Sequence, residues 1–108
     1  MPLGSRSVIE ETAARFALLG DPTRLELLSA LLDRGECSVG DLAATVGISP
    51  ANASQHLRKL TLGGIVGRRR AGHQVHYRVV EDTIAELCQM VCASVQERAS
   101  ILTRSDVG

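Results

Sequence analysis

Ser38-Val39-Gly40-Asp41-Leu42-Ala43-Ala44-Thr45-Val46-Gly47-Ile48-Ser49-Pro50-Ala51-Asn52-Ala53-Ser54-Gln55-His56-Leu57-Arg58-Lys59-Leu60-Thr61-Leu62 reads as two short helices around a tight turn. Ser38 and Asp41 have the spacing of a capping box, in which the serine accepts from a free backbone N–H and the acid reaches back. Leu42, Ala43 and Val46 supply the apolar side of the helix that follows, over about 39–46. Gly47-Ile48-Ser49 is the turn. Ser49 then caps a second helix with Pro50 in its first position, where no N–H is needed, and Gly63-Gly64 ends it after Leu62. Two helices joined in this way form a helix-turn-helix. Helical spacing puts Ala53, Leu57 and Leu60 toward the core and leaves Ala51, Asn52, Ser54, Gln55, Arg58 and Lys59 facing outward.

Upstream, Val8, Ala13, Phe16 and Leu19 recur at helical spacing from about Ser7 until Gly20 stops the run. Asp21-Pro22 is a cap followed by proline at a helix start, and Leu25, Leu28, Ala30, Leu31 and Leu32 form the buried stripe up to Gly35. Downstream, 65–70 and 74–80 read as a β-hairpin that places Val75, Tyr77 and Val79 on one face. Alanine disfavours positive φ, so the connection is expected to be longer than a two-residue type I′ turn at Ala71-Gly72, with Gly72 left-handed. A last helix from about Asp82 carries Ile84, Leu87, Cys88, Val91, Val95 and Leu102. Residues 1–6 and 103–108 are expected to be flexible ends. The predicted order is α-α-α-α-β-β-α, a mainly α winged helix-turn-helix in one domain.

At 108 residues with 22% charged and 2% aromatic composition, the chain is too short for a two-domain enzyme. Its core must come from aliphatic side chains, because Phe16 and Tyr77 are its only aromatics. A domain this small leaves apolar surface wet, which a homodimer would cover. With no membrane-length apolar run and no signal pattern, the chain is expected to be cytoplasmic and to have no membrane partner. Cys37, Cys88 and Cys92 are too few for a disulfide scaffold and would act as thiols.

Net charge is zero, but its distribution is uneven. Asp41 and Glu81 bracket 39 residues that contain no acid and hold Arg58, Lys59, Arg68, Arg69, Arg70 and Arg78. Residues 1–41 carry seven acids against four bases, and 81–108 five against two. The basic segment therefore coincides with the second helix of the turn motif and the hairpin, as a polyanion site would require. In such a module the second helix enters the major groove of duplex DNA and the wing meets phosphate. Asn52, Ser54 and Gln55 are the expected base readers, since amides pair bidentately with adenine, and Ala51 can touch a thymine methyl. Arg58, Lys59 and the Arg68 to Arg70 run are assigned to phosphate, or to the minor groove at the wing tip together with His73. His56 is expected to bond DNA or a neighbouring side chain. His73 and His76, three apart in a strand, should point to opposite faces and make a poor chelate.

Leu19-Gly20-Asp21-Pro22-Thr23-Arg24, Ser38-Val39-Gly40-Asp41-Leu42-Ala43, the segment from Ile48 to Leu60, and a wing with Gly72, Val75 and Tyr77 together resemble the ArsR/SmtB family of winged-helix repressors from about Ala14 to Ser94. The resemblance implies a homodimer joined through its first and last helices, with Phe16, Ile84, Leu87, Cys88, Val91 and Val95 at the interface. It implies a palindromic operator, repression of transcription, and release by a metal ion, a metalloid or thiol oxidation.

The chain departs from that family at its effector positions. Where many relatives open the third helix with two cysteines, Ser38 and Gly40 stand here, and Cys37 lies one step out of place. Where others bind zinc, cobalt or nickel through the last helix, Asp82 is kept but Ile84, Val95 and Arg98 replace the remaining ligands, a set that cannot chelate those ions. Cys88 and Cys92, one helical turn apart, can converge on As(III), Cd(II), Zn(II) or Cu(I), or be oxidised between partner chains. They equally fit as small apolar packing residues with no bound effector, and Cys37 as a turn filler. A constitutive regulator, or one that relies on a co-regulator protein for sensing, is the alternative. No phosphate loop, metalloprotease motif or paired nucleophile points to an enzyme.

Overall fold

A computed structural model describes residues 2–107, with side chains through Leu102. The elements are α1 (Arg6–Leu19), α2 (Pro22–Arg34), β1 (Glu36–Ser38), α3 (Val39–Val46), α4 (Pro50–Leu62), β2 (Val66–Ala71), β3 (Gln74–Val79) and α5 (Asp82–Val107). The five helices and the hairpin are those expected from the sequence. Met1 and Gly108 lie outside the described residues, as do the side chains of the segment after Leu102 that was expected to be flexible.

Helix starts are set by capping. Asp21 Oδ2 accepts from Arg24 N at 2.9 Å, Ser38 Oγ from Asp41 N at 3.2 Å and Ser49 Oγ from Asn52 N at 3.1 Å. Each bond satisfies one of the backbone donors that a helix start leaves without a partner. At α3 only the serine half of the capping box forms among the described residues. Because Pro50 follows it directly, Ser49 is the residue that anchors the start of α4. Ser49→Ala is expected to cost about 1 kcal/mol. Urea unfolding would read this as a lower midpoint with unchanged slope.

The core lies where α2, α3, α4 and the sheet meet. Leu27, Leu42, Leu57, Leu60 and Ile65 are fully buried, with Leu28, Leu31, Val66 and Tyr77 packed around them. Burial of each such leucine contributes about 1.5–3 kcal/mol. Within α2 the most buried residue is Leu27, which lies outside the expected stripe, whereas Leu25, Ala30 and Leu32 are only partly buried.

The sheet differs from expectation in two ways. It has three strands in the order β1-β3-β2, because Glu36, Cys37 and Ser38 pair antiparallel with Arg78, Tyr77 and His76. Three residues carry too little alternation to signal a strand; β1 exists because β3 offers it an unpaired edge. Cys37 is thus a buried strand residue beside Tyr77 rather than a turn filler. The hairpin connection is also shorter than expected. Ala71 pairs with Gln74, so Gly72-His73 forms a two-residue turn one position further on. Gly72 has φ +63° and, among the described residues, no residue other than glycine has positive φ, which fits a turn of type II′. His73 is therefore a turn residue and not a strand partner of His76.

Candidate nucleic-acid interface

With Ala53, Leu57 and Leu60 buried, α4 turns Ala51, Asn52, Ser54, Gln55, Arg58 and Lys59 to solvent. Among the described residues, the Asn52, Ser54 and Gln55 side chains spend no donor or acceptor on the chain itself. They are therefore open to base edges. His56 is different. Half buried, it places Nδ1 3.5 Å from Arg24 Nη1, so of the two partners expected for it the neighbouring side chain is present. The same arginine donates from Nε to Leu18 O at 2.7 Å and from Nη2 to Ala17 O at 3.4 Å. Arg24 thus joins the end of α1 to the outward-facing helix. Asp21, capping α2 beneath it, is held below the ordinary carboxylate range, chiefly by the Arg24 N–H and further by the charges of Arg24 and His56.

Strand alternation divides the wing arginines. Arg68 and Arg70 pair with Tyr77 and Val75, whereas Arg69 pairs with His76. Arg69 therefore shares the opposite sheet face with His76, Arg78 and, across β3, Glu36. Arg68 and Arg70 are exposed and make no hydrogen bond or ion pair among the described residues. Arg69 donates from Nε to Glu36 Oε1 at 3.1 Å, and its Nη2 bonds the same oxygen. That hydrogen bond, with the charges of Arg69, His76 and Arg78, holds the Glu36 carboxyl below its ordinary range against an opposing effect of burial. The carboxylate raises Arg69 in return. His76 Nδ1 lies 3.9 Å from the same oxygen. His73 is exposed at the wing tip.

Away from this face, Cys88 and Cys92 line a cavity of about 380 Å³ with Leu25, Leu28, Ser29, Leu32, Asp33 and Gln89. They also line an adjoining apolar groove with Phe16, Leu19, Gly20, Leu25, Leu87 and Val91. Burial pushes the Cys88 thiol up, and the neighbouring Cys92 adds to the shift. A thiol must lose its proton to act as a metal ligand, and burial opposes that loss at Cys88. Cys37 lies elsewhere in the core, and no group of three or more His, Cys, Asp or Glu among the described residues could hold a metal ion.

The model of the bacterial regulatory proteins of the arsR family matches residues 21–67, from the start of α2 into the wing. The HTH-type transcriptional regulator CmtR of Mycobacterium tuberculosis is 38% identical over 104 residues, which span 92% of this chain and 87% of that protein. The chain belongs to the ArsR family. Solved structures agree. The antimony-specific transcriptional repressor AntR superimposes with a TM-score of 0.84 at 31% identity, covering 93% of this chain and 90% of that one. The transcriptional repressor BigR from Xylella fastidiosa does so with 0.70 at 36% identity, covering 82% and 93%. This ArsR-family chain is accordingly a winged helix-turn-helix, DNA-binding transcriptional repressor.

In the ArsR-family fold, most of the residues expected at a dimer interface lie on the surface of one chain. Phe16 is 54% exposed, Val91 53% and Val95 62%, with Leu87 and Cys88 partly buried beside them. Ile84 differs from the others. At 7% exposure it belongs to the core cluster and packs within its own chain. Two residues of the functional face give no functional signal in the sequence. Arg24 stands out there only as part of a family segment, and Glu36 lies outside the acid-free window that marks the basic face. No helix is long and apolar enough to cross a membrane among the described residues.

Proposed function

We propose that this repressor works as a homodimer paired through α1 and α5. Each α4 then enters a major groove of a palindromic operator, and a soft metal or metalloid ion bound through Cys88 and Cys92 releases the DNA. The observation that carries the DNA-contact reading is the unspent polar row Asn52, Ser54 and Gln55, continued by Arg58 and Lys59 and flanked by the unpaired Arg68 and Arg70. Amides in that row suit adenine edges, and the cations suit the backbone on either side. For the effector, the support is donor chemistry: two sulfurs one helical turn apart beside a cavity favour thiophilic ions over hard ones. AntR, similar in fold over most of its length, is named for antimony, an ion of that class. Within one chain the pair offers two donors, and a twofold axis near α5 would bring a second pair close.

Fluorescence anisotropy of the reduced protein on its own upstream DNA, read as a function of salt, tests the contacts. Gln55→Ala or Asn52→Ala is expected to lose about 1–3 kcal/mol of discrimination against the wrong base. Arg58→Ala should weaken binding to all sequences alike and reduce the log–log salt slope by about 0.9. Binding that ignores salt, or amide variants that discriminate like the parent, would overturn the reading.

A further inference from the structure

Glu36 is the one acid that meets a base of the 42–80 segment among the described hydrogen bonds and ion pairs. It does so through topology. The order β1-β3-β2 carries it across the central strand to a wing residue 33 positions away in sequence. It accepts from both Nε and Nη2 of Arg69 on a single oxygen, so the edge of the guanidinium that would otherwise meet a phosphate is occupied. The arginine is still 57% exposed, so the pair sits at the surface, where a DNA phosphate could compete for it. Its neighbours Arg68 and Arg70 face no such acid.

We infer that Glu36 is an internal stand-in for phosphate that keeps Arg69 out of duplex binding and lowers the repressor's attraction to DNA of any sequence. The inference rests on the DNA-binding reading above. A repressor must find its operator among a great excess of other duplex, and sequence-independent affinity grows with every phosphate contact. Holding one of three consecutive arginines limits that affinity without removing the cation from the wing.

The test is the salt dependence of binding of the full chain to a random-sequence duplex. Glu36→Gln is expected to bind several-fold tighter at low salt, with a log–log slope steeper by about 0.9, one additional phosphate engaged. Glu36→Gln combined with Arg69→Ala should return to the parental slope, because the additional phosphate is held by Arg69. Glu81→Gln removes the same charge from an acid that no arginine holds, and should leave the slope unchanged. Glu36→Thr, which suits a strand, serves as a second variant whose slope should match that of Glu36→Gln. An unchanged slope in both Glu36 variants, weaker binding, or a steeper slope that survives loss of Arg69 overturns the inference while leaving DNA binding intact. Absence of salt-dependent binding in every protein, the parent included, overturns both readings.

Discussion

Val91→Asp/Val95→Asp should yield a chain that folds normally, sediments as a monomer and binds operator about 10²–10⁴-fold more weakly than its parent, the loss expected when two linked half-site contacts become one. The fold should survive because these valines lie outside the core cluster and are 53% and 62% exposed. Along α5, every described residue from Gln89 to Leu102 is exposed or half-buried, and the buried residue of the helix is Ile84 near its start. α1 behaves in the same way, with Leu19 its one buried residue and Val8, Ile9 and Phe16 at 49%, 42% and 54% exposure. Most of the chain's large exposed apolar side chains thus lie on two helices that do little to close its own core. Among the described residues, only Leu3, Leu62 and Val80 fall elsewhere.

Apolar surface concentrated in this way is what isologous pairing about a twofold axis hides. Two facing aspartates per chain would leave like charges in a desolvated patch. Binding to a palindrome depends on both recognition helices being held about one helical turn of DNA apart, near 34 Å. Sedimentation velocity and anisotropy on the same samples check the prediction. In the parent, thermal stability should rise with protein concentration, since association adds to folding. A parent that is monomeric at concentrations where it saturates operator, or a monomeric variant with full affinity, would refute the pairing.

How much of this is legible in the sequence depends on whether the cause is local. Caps at Asp21, Ser38 and Ser49, prolines at helix starts, and the 3.6-residue spacing of Ala53, Leu57 and Leu60 are local, and each predicts the element that forms. β1 is not legible, because Glu36-Cys37-Ser38 becomes a strand only when β3 lies beside it. The hairpin turn is tighter than the longer loop expected, because a glycine signals positive φ without saying which turn position it occupies: Gly72 is the first of two turn residues, and Ala71 still pairs in the strand. The site shows the same division. Outward side chains of α4 follow from helical geometry, whereas the fate of Arg69 depends on a carboxylate delivered by tertiary pairing. Arg68 to Arg70 form one basic run in sequence, and only strand alternation sets the middle arginine apart. Ile84 falls in the expected surface stripe because the spacing of a helix gives the angular position of a residue, not the point along its length where the core ends.

Stoichiometric arsenite is expected to lower operator affinity by a factor of about 5–150, the usual range of coupling between two sites, and to have no effect on Cys88→Ser/Cys92→Ser. A shared groove and the hydrogen bonds of Arg24 lie between the cysteines and the recognition helix. Cys88 and Cys92 share their groove with Phe16, Leu19 and Gly20 at the end of α1. In that same turn, the Leu18 and Ala17 carbonyls hold Arg24, whose remaining nitrogen faces His56 on α4. On the proposed reading, a ligand that moves α5 against α1 would act on the element that steadies the recognition helix. Serine keeps the size of each thiol but not its softness, so the double variant should bind operator like the parent while losing the response. Anisotropy titrations with arsenite, Zn(II) and Ni(II) on both proteins decide the matter. A response ordered by thiophilicity and abolished by the two serines identifies the cysteines as the sensor. Operator binding unmoved by every ion assigns them to packing and places sensing outside this chain.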